Sequence, residues 1–390
     1  MYWTLHTDGG PCRVNHAAAR VGDKIYSFGG FCSLKEYRLL EPISVHILDT
    51  TVYKWALVEY RNLIEAPFQR YGHTCVAHGD KIYLWGGRND SVSCETLYCF
   101  DTVKLEWSTP SVTGSMPNGK DGHSACIVNN KMYIFGGFEY LNDKYTNNLH
   151  CLDLLTMEWC FVDAKGAQPI ERDFHTALAY GNRMYIFGGR SELCRPNTVH
   201  HDFYCDKIYY FDTITETWVK VKTSGVTPVG RRSHSSWLHN DFMYIFGGYN
   251  QKLQTHYNDI HRFSLKTNHW ELINVYGTPP CERRRQVCIL YNDKLYLFGG
   301  TSPVHEITEG KEDNEIYDED ESVMDKDDLH ILDYLPSLKV LCMIHVLNHM
   351  MDTSGLPEDL LLDIKIMTQP NKINQPIEGS NELPVFEFGS

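Results

Sequence analysis

No stretch of this 390-residue chain approaches the ~18–20 consecutive apolar residues of a membrane-spanning helix, so no contact with membrane is expected. The opening MYWTLHTDGG lacks a basic segment followed by an apolar run, and a secretory signal is not expected either. Cysteine occurs 13 times, an odd number, but nowhere in the C-x-x-C spacing of zinc sites, so neither metal nor cofactor is expected. Scattered thiols without a signal read as reduced and mostly buried, in the cytoplasm with the nucleus as a second compartment. Positive charge is also short. Lys and Arg number 36 against 50 Asp and Glu, a formal charge of −14, which excludes a broad nucleic-acid surface; no direct nucleic-acid partner is expected. That acidity is concentrated. The segment 309–328, EGKEDNEIYDEDESVMDKDD, holds 11 acids and 2 lysines and reads as a solvated insertion. A sharper reading has it compete with acidic ligands.

What is plentiful is repetition. Glycine pairs recur at 29–30, 86–87, 136–137, 188–189, 247–248 and 299–300, each closing a phrase such as KIYSFGG, KMYIFGG or KLYLFGG. A further strand precedes each phrase. An Asp-then-Trp phrase follows: LDTTVYKW, FDTVKLEW, LDLLTMEW and FDTITETW end at Trp55, Trp107, Trp159 and Trp218, and FSLKTNHW ends at Trp270 with Ser264 for the aspartate. A self-similar period near 50 residues with four strands per repeat is the signature of a kelch β-propeller. The sixth copy lacks its tryptophan phrase, and YWTLHTDGGPCRVNHAA at 2–18 supplies the match, with Trp3 in the place of Trp270. The expected fold is all-β: a six-bladed kelch propeller over 1–335 closed by the N-terminal strand, which hides an edge. The acidic insertion 309–328 interrupts its last blade.

In an antiparallel blade, the residues before the first strand and those after the glycine pair meet on one rim. The former read RVNH, RYGH, KDGH, RDFH, RRSH and RRRQ, at 13–16, 70–73, 120–123, 172–175, 231–234 and 283–286; the latter add Arg88 and Arg190. Guanidinium groups converging on one mouth suit a carboxylate. One basic residue per blade is equally explained as a loop tie, but the doubled Arg231–Arg232 and tripled Arg283–Arg285 exceed what repetition needs. The recurring histidines read as loop-binding rather than catalytic.

After the ring the periodicity changes. In PSLKVLCMIHVLNHM, Ser337 can cap a helix carrying Leu338, Leu341, Cys342 and His345 or Val346 on one face. GLPEDLLLDIKIM starts a second helix, with Pro357 suited to its first turn and Glu358 and Asp359 at its positive end.

SLKVLCMIHV resembles a BC box, and LPEDL at 356–360 resembles the cullin-2 box that follows one. With the kelch ring, the RRSHS, RRRQ and GGTSP phrases and the truncated last blade, the chain resembles the kelch-repeat substrate receptors of cullin-2 RING ubiquitin ligases. The resemblance implies a non-catalytic adaptor that captures proteins by a C-terminal, glycine-ended degron and leads to their ubiquitination and proteasomal degradation. Residues 336–368 would then form the BC-box and cullin-2-box helices, and 369–390 a flexible tail. Ser337, Leu338, Leu341, Cys342 and Val346 would meet elongin C of the elongin B/elongin C pair. Leu356, Pro357 and Leu360 would meet cullin-2, which brings the RING subunit. By position, Arg190, Arg231, Arg232 and Ser233 match the family's carboxylate clamp, with Arg283, Arg284 and Arg88 as further contacts.

Other readings compete. A copper-dependent kelch oxidase lacks a convincing Tyr/His/Cys ligand set here, and a sialidase lacks its Asp-box phrases. A plain kelch scaffold binding cytoskeletal or chromatin proteins, its tail folded back on the ring, is the second serious reading. Without a BTB-like region before the ring, a cullin-3 adaptor is not expected. The terminal Gly389–Ser390 could enter a mouth in cis or in another copy, a route to self-association.

Overall fold

The computed structural model describes residues 1–33, 41–60, 62–193, 201–304, 323–371, 373 and 376–378. Six sheets stand around an axis, each with antiparallel strands A to D running outward, in sequence order in the first five. In the fifth blade these are Ser235–His239, Phe242–Phe246, Ile260–Ser264 and His269–Ile273. The sixth blade consists of Val287–Tyr291, Lys294–Phe298, Leu329–Asp333 and, as its outer strand, the N-terminal Tyr2–Thr7. Tyr2 pairs with Asp333 and Thr7 with Leu329, so the ring closes through the chain's own beginning, as the displaced tryptophan phrase implied.

Each D strand carries one tryptophan, and each tryptophan packs on the aromatic residue just before the glycine pair of the preceding blade. The contacts are Trp107 on Phe28, Trp159 on Trp85, Trp218 on Phe135, Trp270 on Phe187, Trp3 on Phe246 and Trp55 on Phe298, with centroids 4.8–6.3 Å apart. All twelve side chains are buried, so blade-to-blade adhesion is aromatic and runs unbroken around the circle.

The glycine pairs sit where the next blade comes closest. Gly188 has φ +74°, and a Cβ there would lie 2.5 Å from Cε1 of His234 and 2.7 Å from the Arg231 carbonyl oxygen. Only a residue without a side chain fits that approach in that conformation.

The last described segments cover the seam between blades six and one. Helix α1, Leu338–Asn348, is capped by the Ser337 hydroxyl, which accepts from Val340 N. Helix α2, Glu358–Thr368, begins one residue later than expected, with Pro357 at its N-cap. Both helices lie against the N-terminal strand, and Lys339 is paired with Asp363 between them. Beyond α2, Asn371 N donates to the Asp8 carbonyl at 2.7 Å and its side-chain oxygen accepts from Trp55 N at 3.0 Å. Pro376–Glu378 adds a parallel strand to Lys54–Glu59, the outer edge of the first blade. The segment expected to be a flexible tail from 369 is therefore sewn to the ring in part. Residues 309–322 of the acidic insertion and Gly389–Ser390 lie outside the described residues.

Candidate functional site: an arginine-lined mouth

The four-residue phrase before each A strand has a fixed division of labour. Its first residue is structural. Arg70, Arg172, Arg231 and Arg283 are all 0–1 % exposed. Each donates through Nε to the carbonyl two residues back and through Nη1 to the first glycine carbonyl of its own pair, at 2.9–3.3 Å. Arg231 is further tied to Asp259, and Arg283 holds Asp328 through two bonds of 2.6 and 2.7 Å. Lys120 takes the same place in the third blade, beside Glu139.

The fourth residue is structural too. His73 bonds the Phe28 carbonyl, and His123, His175 and His234 bond Thr74, Ser124 and Thr176 on the preceding blade, at 2.7–3.1 Å. Burial, with the neighbouring cation second, holds His16, His123 and His234 at about 3, far below the ordinary histidine value. All three are neutral; His123 and His234 tie neighbouring blades through those hydrogen bonds, and His16 packs on Phe298 of the sixth blade with centroids 5.3 Å apart.

The third residue forms the floor. Asn15, Gly72, Gly122, Phe174, Ser233 and Arg285 all have φ between +48° and +70°. That left-handed turn aims each N–H at the carbonyl of the same residue one blade back. Gly72 donates to Asn15, Gly122 to Gly72, Phe174 to Gly122, Ser233 to Phe174, Arg285 to Ser233 and Asn15 to Arg285, at 2.7–3.2 Å. Six backbone hydrogen bonds thus close a ring about the axis.

The second residue forms the wall. It pairs with the residue after the glycine pair: Val14 with Phe31, Tyr71 with Arg88, Asp121 with Phe138, Asp173 with Arg190, Arg232 with Tyr249 and Arg284 with Thr301. Wall and floor bound a cavity of about 420 Å³ whose lining, among the described residues, brings Arg88, Arg190, Arg232, Arg284 and Arg285 together with Asp121 and Asp173. Arg190 holds Asp173 at 2.7 and 3.3 Å, and Arg88 lies 3.7 Å from Asp121. Arg284 stacks over Tyr249 at 4.5 Å, with Arg232 near the same ring. Phe138, Tyr140 and Tyr145 line the cavity as well. Burial pushes the Asp121 carboxyl up to about 6, against the opposing pull of Arg88; burial also raises Asp173.

The repeats seen here match a described family. Residues 72–300 match the KLHDC2/KLHL20/DRC7 Kelch-repeats domain. The chain belongs to the kelch-repeat family. It is 45 % identical to mouse Kelch domain-containing protein 3 and 44 % identical to the human protein of that name, over 98 % of this chain and all of each relative. Human Kelch domain-containing protein 1 is 31 % identical over 60 % of the chain and 63 % of its own length.

Within this kelch ring the expected clamp residues part company. Arg88, Arg190, Arg232 and Arg284 come together in the mouth. Arg231 and Arg283, expected there as surplus cations, do not line the cavity; each is the blade's buried structural arginine, turned back on its own glycine carbonyl. Ser233 sits in the floor and lines the axial channel below. Phe174 and the aromatic wall were not singled out from sequence, and Arg285 entered only as part of the tripled Arg283–Arg285. The signal was present in the aligned phrases: the outer two positions stay basic and His or Gln in every blade, while the inner two vary and face the mouth.

On α1, Met343 and Ile344 are buried against the ring, whereas Leu338 is 76 % exposed and Cys342 is exposed beside it. Leu341 and Val346 are half-buried, as are Leu356 and Leu360; Ser337 and Pro357 are exposed. The helix is apolar on two faces, one of which the ring leaves bare.

Proposed function

We propose that this kelch protein is the substrate-recognition subunit of a cullin-2 RING ubiquitin ligase, its mouth holding the free C-terminal carboxylate of a protein to be degraded. The observation that carries the reading is the cavity itself: among the described residues, five guanidinium groups line it beside Asp121 and Asp173, on a floor closed by backbone hydrogen bonds. A chain end, unlike an internal segment, needs no exit through the floor, and its carboxylate is the group that guanidinium forks bind best. Bidentate guanidinium–carboxylate bonds in a partly dry pocket strengthen such a match. The aromatic wall can pack on the residues upstream, and a glycine end would leave room for the carboxylate to reach the arginines.

The exposed Leu338–Cys342 face of α1 supports the second half of the proposal, docking of elongin C, with α2 alongside for the cullin. Leu338→Ala combined with Cys342→Ala is expected to abolish co-purification with elongins B and C while leaving peptide binding and the melting temperature unchanged. Retained co-purification would favour the plain scaffold, the second reading, in which the tail only packs on the ring.

Affinity for an acidic ligand is expected to rise as pH falls from 7.5 toward 6. Asp121 takes up a proton near 6; once neutral it no longer offsets Arg88, and the bound anion favours that protonated form. Asp121→Asn should flatten the dependence, measured by titration calorimetry across the interval.

A further inference from the structure

We propose that Cys12, Cys32 and Asp325 form a site for a thiophilic divalent cation, of which Zn²⁺ is the type, at the seam where the ring closes. Their two sulfurs and a carboxylate oxygen lie within 4.8 Å of one another. A tetrahedral zinc would hold such atoms about 3.5–3.8 Å apart, given Zn–S near 2.3 Å and Zn–O near 2.0 Å. The adjustment is within the reach of side-chain rotation.

The backbone beneath the three side chains is already fixed. Cys12 precedes the first blade's phrase, and Cys32 follows that blade's glycine pair; Val14 and Phe31 exchange two backbone hydrogen bonds of 2.9 and 2.7 Å between those segments. Asp325 ends the strand Val323–Asp325 in the sixth blade, and Asp327 O accepts from Gly10 N at 2.7 Å. Ser33 donates to Asp325 Oδ2 from both its N–H and its hydroxyl, at 2.8 and 2.7 Å. That outer contact orients the carboxylate, as the partners of metal ligands commonly do.

A bound dication would displace one proton from each thiol and draw its last ligand from solvent or from Asp327. A disulfide between the cysteines would satisfy the sulfurs but would give no role to the carboxylate held by Ser33. The other three-residue cluster, His6, Asp328 and His330, differs because Asp328 is already committed to Arg283. Occupied, the site pins the return of the acidic insertion to the first blade.

Co²⁺ added to the full chain, kept reduced with a phosphine, tests the site directly. One equivalent is expected to bind with sulfur-to-metal charge-transfer absorption and to be displaced by Zn²⁺. Cys12→Ser and Cys32→Ser should each weaken Co²⁺ binding by at least ~10-fold and reduce that band, while Asp325→Asn weakens binding and keeps it. The metal-free variants should melt with the metal-free parent, showing that the fold persists. Absence of the charge-transfer band in the parent, or its survival in the double serine variant, overturns the proposal. So does a Cys12–Cys32 disulfide that persists under the reductant.

Discussion

Arg283→Met is expected to destabilise the ring by about 3–5 kcal/mol, the cost of leaving one partner of a buried ion pair behind. Arg283 is fully buried and Asp328 nearly so; without the guanidinium, Asp328 keeps His330 alone as a side-chain partner among the described residues. The substitution also removes a donor from the Gly299 carbonyl. At the adjacent position the outcome reverses. Arg284→Gln removes a guanidinium that faces the mouth and leaves the Arg283 bonds to Asp328 and Gly299 in place, so melting should fall less than for Arg283→Met. Peptide binding should suffer instead, by roughly 10- to 100-fold, in line with the ~1.5–3 kcal/mol of a hydrogen bond to a charged group. Thermal melting and peptide titration on the two variants separate the roles. Equal loss of stability in both would contradict the division of labour within the phrase.

Acid should unfold the ring steeply. His16, His73, His123, His175 and His234 are buried neutral, their basicity depressed by burial and then chiefly by the cation at the head of each phrase. In the unfolded chain they protonate near pH 6.5. Between 6.5 and their depressed folded values the unfolded state therefore binds more protons than the folded one. The stability these groups contribute is complete above 6.5 and lost as pH falls through that window. Each histidine contributes roughly 1.4 kcal/mol per pH unit once its unfolded form is charged. Asp121 and Asp173 work the other way, since burial raises them and the folded state protonates first. The buried histidines outnumber these two carboxylates, so stability falls with pH below 6.5. Melting temperature should fall sharply between pH 7 and 5. The sixth blade shows the remedy, because Gln286 stands in the histidine place and donates to the Phe246 carbonyl. His234→Gln should keep the fold and remove one histidine's share of the slope; an unchanged pH profile would mean these rings are not the acid-sensitive groups.

The architecture was legible because a propeller repeats its requirements. Glycine pairs, tryptophans and the truncated last copy each answer to a contact made six times, so blade number and closure by Trp3 could be read from spacing. The mouth was harder to read because its residues share phrases with structural ones. Arg231 and Arg232 are adjacent letters, but alternation along an extended segment sends one into the blade and the other into the cavity. Ser233 follows in a left-handed turn that removes it from the wall. Neither fact shows in a count of arginines. The Cys12, Cys32 and Asp325 cluster was invisible for another reason: Asp325 joins the two cysteines of the first blade only through closure of the ring.

The central claim is that the mouth reads a free chain end. The measurement that addresses it most directly is the affinity of one glycine-ended peptide as its carboxylate and as its C-terminal amide, at fixed pH and salt. The carboxylate form should bind at least ~100-fold more tightly, about 2.7 kcal/mol, and Arg284→Gln should narrow that ratio. Equal affinity of the two forms would contradict the account, whatever else the propeller binds.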